Sequence, residues 1–168
     1  CSTPLVWKYS IYVTAPVDGK DAEKAFDDSG KQQWQAVFSN ETAGKHRNGS
    51  GCNASPVTDG EAVFVNFKSG TFAAVNLDGT VRWETDLVQR FGPDERYWDQ
   101  GTSPVLTKNH VVMARMHAGD SWVAAFDKVS GELAWKVDRN YKVPKECDQC
   151  YTTPLVIDRD GRQMILVW

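Results

Sequence analysis

Two histidines and two aspartates are the side chains of this sequence best suited to chemistry. His46 stands in "KHRNGSG", Asp99 in "DERYWDQG", His117 in "MHAGDSW" and Asp148 in "ECDQC". Imidazoles and carboxylates brought to one point can pass protons or hold a metal ion. The four lie on separate loop-like stretches, so only the fold can gather them. The plain alternative is that they are solvated loop groups and hydrogen bonds between repeats. There is no HExxH and no GxSxG, and no glycine-rich phosphate loop follows a strand. No catalytic residue and no metal ligand is assigned from the sequence.

Four cysteines raise a separate question. Cys147 and Cys150 form "CDQC". One such pair is compatible with a local disulfide in an oxidising compartment, with two free thiols, or with half of a zinc site that lacks its second pair. No CxxCH is present, so a covalent haem is not expected. Cys1 is first in the chain, which brings a lipoprotein cysteine to mind; the alternative is a loop cysteine before the first strand. Cys1, Cys52 and Cys150 all stand three or four residues before a Ser/Thr-Pro or equivalent proline.

Those prolines belong to a repeat. Pro4, Pro56, Pro104 and Pro154 each follow Ser or Thr, at steps of 52, 48 and 50 residues. A second marker runs in phase: "AFDDSGKQQW" (25–34), "AVNLDGTVRW" (74–83) and "AFDKVSGELAW" (125–135). In each, a tryptophan follows a glycine by four: Trp34 after Gly30, Trp83 after Gly79, Trp135 after Gly131. A period near 50 residues is the signature of a solenoid, propeller or array.

Within each period four short apolar or alternating runs are separated by Gly-containing turns, as in "SPVTDG", "AVFVNF", "TFAAVNL" and "TVRWETDL". This pattern predicts an antiparallel meander. No window carries helical periodicity free of Gly and Pro. The expected fold is all-β: a β-propeller with blades at 3–38, 55–87 and 103–138 and the start of a further blade at 153–168, an incomplete ring. Proline at the head of each first strand suits a residue that lacks a donor. Trp34, Trp83 and Trp135 are expected to be structural, covering the seam between blades.

The links between blades are long: 39–54, 88–102 and 139–152. Loops of that length are uncommon and often functional, whereas the turns at the opposite end have two to four residues. One face is therefore elaborated. His46, Arg47, Asn48, Trp98, Asp99, His117 and Asp148 are the candidate binding residues on it. Arg47, Trp98 and His117 are preferred, since Arg and Trp are enriched in binding hot spots and His both donates and accepts near neutral pH.

The Ala-x-Asp-x-x-Ser-Gly-x3-Trp of 125–135 and the opening "SPVTDGEAVFV" together resemble quinoprotein-type propellers. The whole chain is similar to the PQQ-like β-propeller repeat proteins of bacteria, WD-like in general architecture. That resemblance implies a periplasmic, secreted or cell-envelope binding and scaffold module with a protein or carbohydrate partner. The alternative it implies is a PQQ-dependent alcohol or sugar dehydrogenase with a quinone and calcium above the channel. The alcohol-oxidising members carry two adjacent cysteines beside the quinone, and no Cys-Cys pair exists here. No cofactor is firmly expected.

Composition sets the remaining bounds. The 168 residues are 41% hydrophobic and 24% charged, with a net charge of −3. Disorder is excluded by that balance. No basic stripe with interleaved aromatics is present, so nucleic acid is not an expected partner. No run is long and apolar enough to span a membrane.

Overall fold

A computed structural model describes every residue except Cys1, Asn48, Ala118, Lys145 and Glu146. Three four-stranded antiparallel meanders follow one another along the chain. The first holds β1 (Leu5–Trp7), β2 (Ser10–Val17), β3 (Lys20–Asp27) and β4 (Gln32–Asn40). The second holds β5 (Val57–Thr58), β6 (Ala62–Asn66), β7 (Thr71–Asn76) and β8 (Val81–Asp86), and is followed by a short helix, α1 (Leu87–Phe91). The third holds β9 (Val105–Leu106), β10 (His110–Arg115), β11 (Trp122–Asp127) and β12 (Leu133–Asp138). A fourth sheet consists of β13 (Leu155–Arg159) and β14 (Arg162–Leu166). No sheet closes on itself; the four are successive blades of an incomplete propeller.

The first strand of each blade is innermost, because β1, β5, β9 and β13 meet one another in turn. Here the Ser/Thr-Pro repeat finds its reason. Thr3 N–H donates to Ser55 Oγ at 2.8 Å, Ser55 N–H to Ser103 Oγ at 2.9 Å, and Ser103 N–H to Thr153 Oγ1 at 3.0 Å. Ser55 and Ser103 thus each use the amide toward one neighbour and the hydroxyl toward the other. The following proline has no amide to leave unmet.

The outer marker makes a second chain of contacts. The Trp34 indole N–H donates to Leu77 O at 2.8 Å, and the Trp83 indole N–H donates to Lys128 O at 3.0 Å. Both acceptors lie in the β-turn of the next blade, and the glycine of that turn is the platform for the ring. A Cβ on Gly79 would come within 2.8 Å of Trp34 Cγ, and one on Gly131 within 2.6 Å of Trp83 Cδ2. Both glycines also hold positive φ, 91° and 73°, a conformation that glycine alone adopts without cost. So Gly79 and Gly131 each receive the previous blade's tryptophan, and Trp34 and Trp83 each serve the next blade. The alanine of the motif pairs with that tryptophan across the strands in every blade: Ala25 with Trp34, Ala74 with Trp83, Ala125 with Trp135. A register shift follows that alanine each time, a β-bulge repeated with the sequence. Asp27 and Asp127 fold the turn by accepting amides two to four residues on.

Packing follows from these anchors. Tyr12, Ala25 and Phe38 of the first blade bury against Val63, Val65, Phe67, Ala73 and Val75 of the second. On its other side the second blade sets Phe64, Phe72 and Trp83 against Val111, Met113 and Phe126 of the third. Covered on both faces, β6 is buried throughout, which explains why "AVFV" lacks strict alternation. Trp83 is buried, while Trp34 and Trp135 are half-buried.

One expectation is corrected. The segment opening at Val88 was expected to be irregular, and it begins with the helix α1. Asp86 caps this helix by accepting from Val88 and Gln89 N–H at 2.8 and 3.0 Å, and Gly92 ends it. Five residues are too few to show a 3.6-residue period.

Replacing Trp83 by Phe keeps a ring on Gly131 but removes the bond to Lys128 O. Stability is expected to fall by about 1–2 kcal/mol. Trp135→Phe, whose indole makes no hydrogen bond among the described residues, should cost clearly less. Urea unfolding of both variants measures the difference.

Candidate functional site

The long interblade segments share one face with the β2–β3, β6–β7 and β10–β11 turns. Their polar groups are largely spent on one another. Asp99 accepts from Lys45 N–H at 3.0 and 2.8 Å and pairs with Lys68 Nζ at 2.6 Å. Lys68 Nζ also donates to Ala43 O, and Lys45 Nζ to the carbonyls of Arg96 and Tyr97. On the other side Tyr97 N–H donates to Gln149 Oε1 at 2.6 Å and Trp98 N–H to Tyr151 OH at 3.0 Å. The 93–100 segment is thereby tied to both of its neighbours.

Arg96 is the pin of that segment. It is 1% exposed, forks onto the Asp94 carboxylate through Nε and Nη2, and donates from Nη1 to Thr102 Oγ1 at 3.1 Å. Burial acts to raise the Asp94 carboxyl, but the Arg96 fork and the charges of Arg96 and Arg115 outweigh it and hold the group below the usual range. At Asp99 burial is likewise outweighed, by Lys68 and by the Lys45 and His46 amides. Both carboxylates are fixed anions rather than proton carriers.

The four candidates for chemistry do not come together. Asp99 sits with Lys45 and Lys68. His117 is buried, its Nδ1 accepting from Glu95 and Gly119 N–H at 3.3 Å each. It lines a cavity of about 490 Å³ with Asp120, Arg139, Tyr141, Cys147 and Asp148. His46 and Arg47 are on the exposed surface of the first interblade loop. Trp98 is 57% exposed. Asn48, like Cys1, lies outside the described residues. Among the described residues no three His, Cys, Asp or Glu side chains group as metal ligands. Cys147 and Cys150 are not bonded to each other in this structure. Cys150 Sγ instead shares a hydrogen bond with Thr152 Oγ1 at 2.9 Å, and its N–H donates to Met116 O.

Several buried polar groups were not singled out from the sequence. Arg115 ends β10 fully buried, its guanidinium 5.9 Å from the Trp122 ring and without a hydrogen bond among the described residues. Burial lowers it to about 10, against the pull of Asp94. Gln100 and Asn66 are buried with both side-chain polar atoms unmatched among the described residues. Glu23 is fully buried on β3, and burial holds its carboxyl well above the usual range. The available signal was a charged residue interrupting an apolar strand, as in "VVMAR" and "AEKAF".

Successive four-stranded blades joined by Ser/Thr-Pro and Gly-Trp contacts define a propeller of the quinoprotein type. The model of the family described as outer membrane protein assembly factor BamB matches residues 19–154. The chain belongs to that family. Among solved structures, it is similar to quinohemoprotein alcohol dehydrogenase from Comamonas testosteroni, at 17% identity over 82% of this chain and 20% of that one (TM-score 0.60). It is similar to BamB from Moraxella catarrhalis at 18% identity over 89% and 38% (TM-score 0.55). It is also similar to the computationally designed Ika4 protein, at 16% identity over 98% of this chain and 91% of that one (TM-score 0.56). The chain thus spans about a fifth of the dehydrogenase. No curated protein matches it. At these identities the structural likeness speaks for the fold.

Asp21 supplies a measurable consequence of burial at this face. It is fully buried, and Cys52 Sγ lies 3.8 Å from its Oδ1. Burial, aided by the charge of Glu41 and opposed by hydrogen bonds from Ser69 and Cys52, raises it from 3.8 to about 6. A folded pKa above the unfolded one means that ionisation opposes folding. The cost is absent below about pH 4, grows between about pH 4 and 6, and is complete above that. The stability of Asp21→Asn relative to the parent should therefore rise across this window and then level off in urea titrations. A pH-independent difference would contradict the assignment.

Proposed function

We propose that this chain is a non-catalytic binding module of a bacterial cell-envelope protein, holding a protein or carbohydrate partner at its loop face. The observation that supports this best is the pair Tyr97–Trp98. The two rings meet edge to face at 4.8 Å, yet are 67% and 57% exposed. Their backbone is held from both sides, by Lys45 Nζ on the Tyr97 carbonyl and by Gln149 and Tyr151 on the two amides. Ordering two large rings in water is unfavourable unless something covers them, and a rigid aromatic anchor gives up little entropy on binding. Arg47 stands exposed on the neighbouring loop and completes the surface. His117, being buried, acts through its cavity rather than as a surface contact. Of the two carboxylates that could serve acid–base chemistry, Asp99 is already paired with Lys68, while Asp148 keeps its Oδ1 without a hydrogen bond among the described residues. A quinone-dependent oxidoreductase remains the second reading of the fold, without a residue group here that favours it.

The test compares the intact protein with its Tyr97→Ala/Trp98→Ala form for binding to immobilised envelope proteins and polysaccharides. Affinity should fall by about 10- to 100-fold, the loss typical of a hot-spot aromatic. The melting temperature should stay within about a degree, since both rings are exposed. Unchanged binding would move the functional face elsewhere. Dye reduction on adding PQQ and calcium would replace the proposal with the oxidoreductase reading.

A further inference from the structure

A second cavity, of about 230 Å³, opens over the β6–β7 turn, between the interblade segments that lead into and out of the second blade. Its walls include Lys45, Lys68, Asp94, Arg96, Trp98 and Gln100. Three of these are cations. Asp94 matches Arg96 and Asp99 matches Lys68. Lys45 Nζ, among the described residues, donates to backbone carbonyls alone. Behind the wall Arg115 adds a further buried positive charge, close enough to feel Asp94, Asp86 and Arg96, with no hydrogen bond among the described residues; four cations then face the three carboxylates of Asp86, Asp94 and Asp99. The surroundings are therefore positive, and an anion entering them gains attraction.

Gln100 gives the second, independent observation. It lines this cavity and is 4% exposed, and neither its Nε2 nor its Oε1 has a hydrogen-bond partner among the described residues. A buried amide without partners is costly. It becomes favourable when a ligand brings a group that both accepts and donates, as adjacent sugar hydroxyls do. Trp98, at the rim, offers an indole face suited to the C–H face of a pyranose ring. The volume suits one ring rather than a drug-sized ligand.

We propose that this cavity binds an acidic sugar, its carboxylate drawn by the Lys45, Lys68 and Arg96 charges, its hydroxyls paired with Gln100 and its ring laid against Trp98. The proposal rests on the loop-face reading and names the partner's chemistry within it.

Isothermal titration of the intact protein with sodium D-glucuronate, D-glucose and sodium acetate tests it. Glucuronate is expected to bind saturably, at least about tenfold more tightly than glucose or acetate. Gln100→Leu and Trp98→Ala should each weaken it by about tenfold or more. The melting temperature of Gln100→Leu should hold or rise, because an unpaired buried amide is replaced by an apolar group. Absent binding, equal binding of acetate, or unchanged affinity in both variants would each overturn the proposal. If glucuronate fails while envelope binding still depends on Tyr97 and Trp98, this inference falls and the binding-module reading stands. If envelope binding ignores those two rings, the binding-module reading itself falls.

Discussion

The molecule depends on a hydrogen bond made at the same place in every blade, from the amide before each innermost proline to the hydroxyl of its counterpart one blade on. It is short-range and directional, and it sits where the sheets converge. With the inner ends tied at 2.8–3.0 Å, the outer ends can differ only by rotation, and the tryptophan indole fixes that rotation by reaching a carbonyl in the next blade's turn. The apolar clusters between the sheets supply most of the burial. They are non-directional, and the two polar contacts set the angle at which they meet.

The same logic governs the elaborated face. The interblade segments are long enough to have many conformations, and ordering them costs entropy. The Arg96–Asp94 fork and the Lys68–Asp99 pair are largely withdrawn from water, where charge-assisted bonds are strongest. They fix one conformation across two blade junctions. What is left over is informative: exposed aromatic rings, a cationic lysine and arginine without carboxylate partners among the described residues, and a buried amide. Groups that stabilise the loops are paired, and groups without a structural partner are the ones available to a ligand.

Much of the fold was legible in the sequence, because the repeat amplifies weak local signals. Four prolines and three tryptophans in phase carry more information than the strand propensity of any one segment. The hydroxyl role of Ser55, Ser103 and Thr153 was not legible, since only the arrangement of the innermost strands shows what the amides before the prolines face. Helix α1 was hidden by its length. The candidate site was less legible. His46, Asp99, His117 and Asp148 were grouped by residue type, but the rotation between blades carries His117 and Asp148 to one cavity and leaves Asp99 paired with Lys68. Gln100 was quoted within its loop without being chosen, and Arg115 sits where an apolar strand was expected to continue. Burial without a partner is a three-dimensional property, and a sequence does not display it.

The ten-residue segment from 74 to 83 carries both halves of a joint: Gly79 is the socket for the ring behind, and Trp83 is the plug for the turn ahead. Neither half fits itself, so the joint has a direction, and every copied unit arrives with a matching socket and plug. Tandem duplication of one coding unit would then add a compatible blade with no second change anywhere else. The number of blades is a property of where such a series is closed, and no individual blade encodes it.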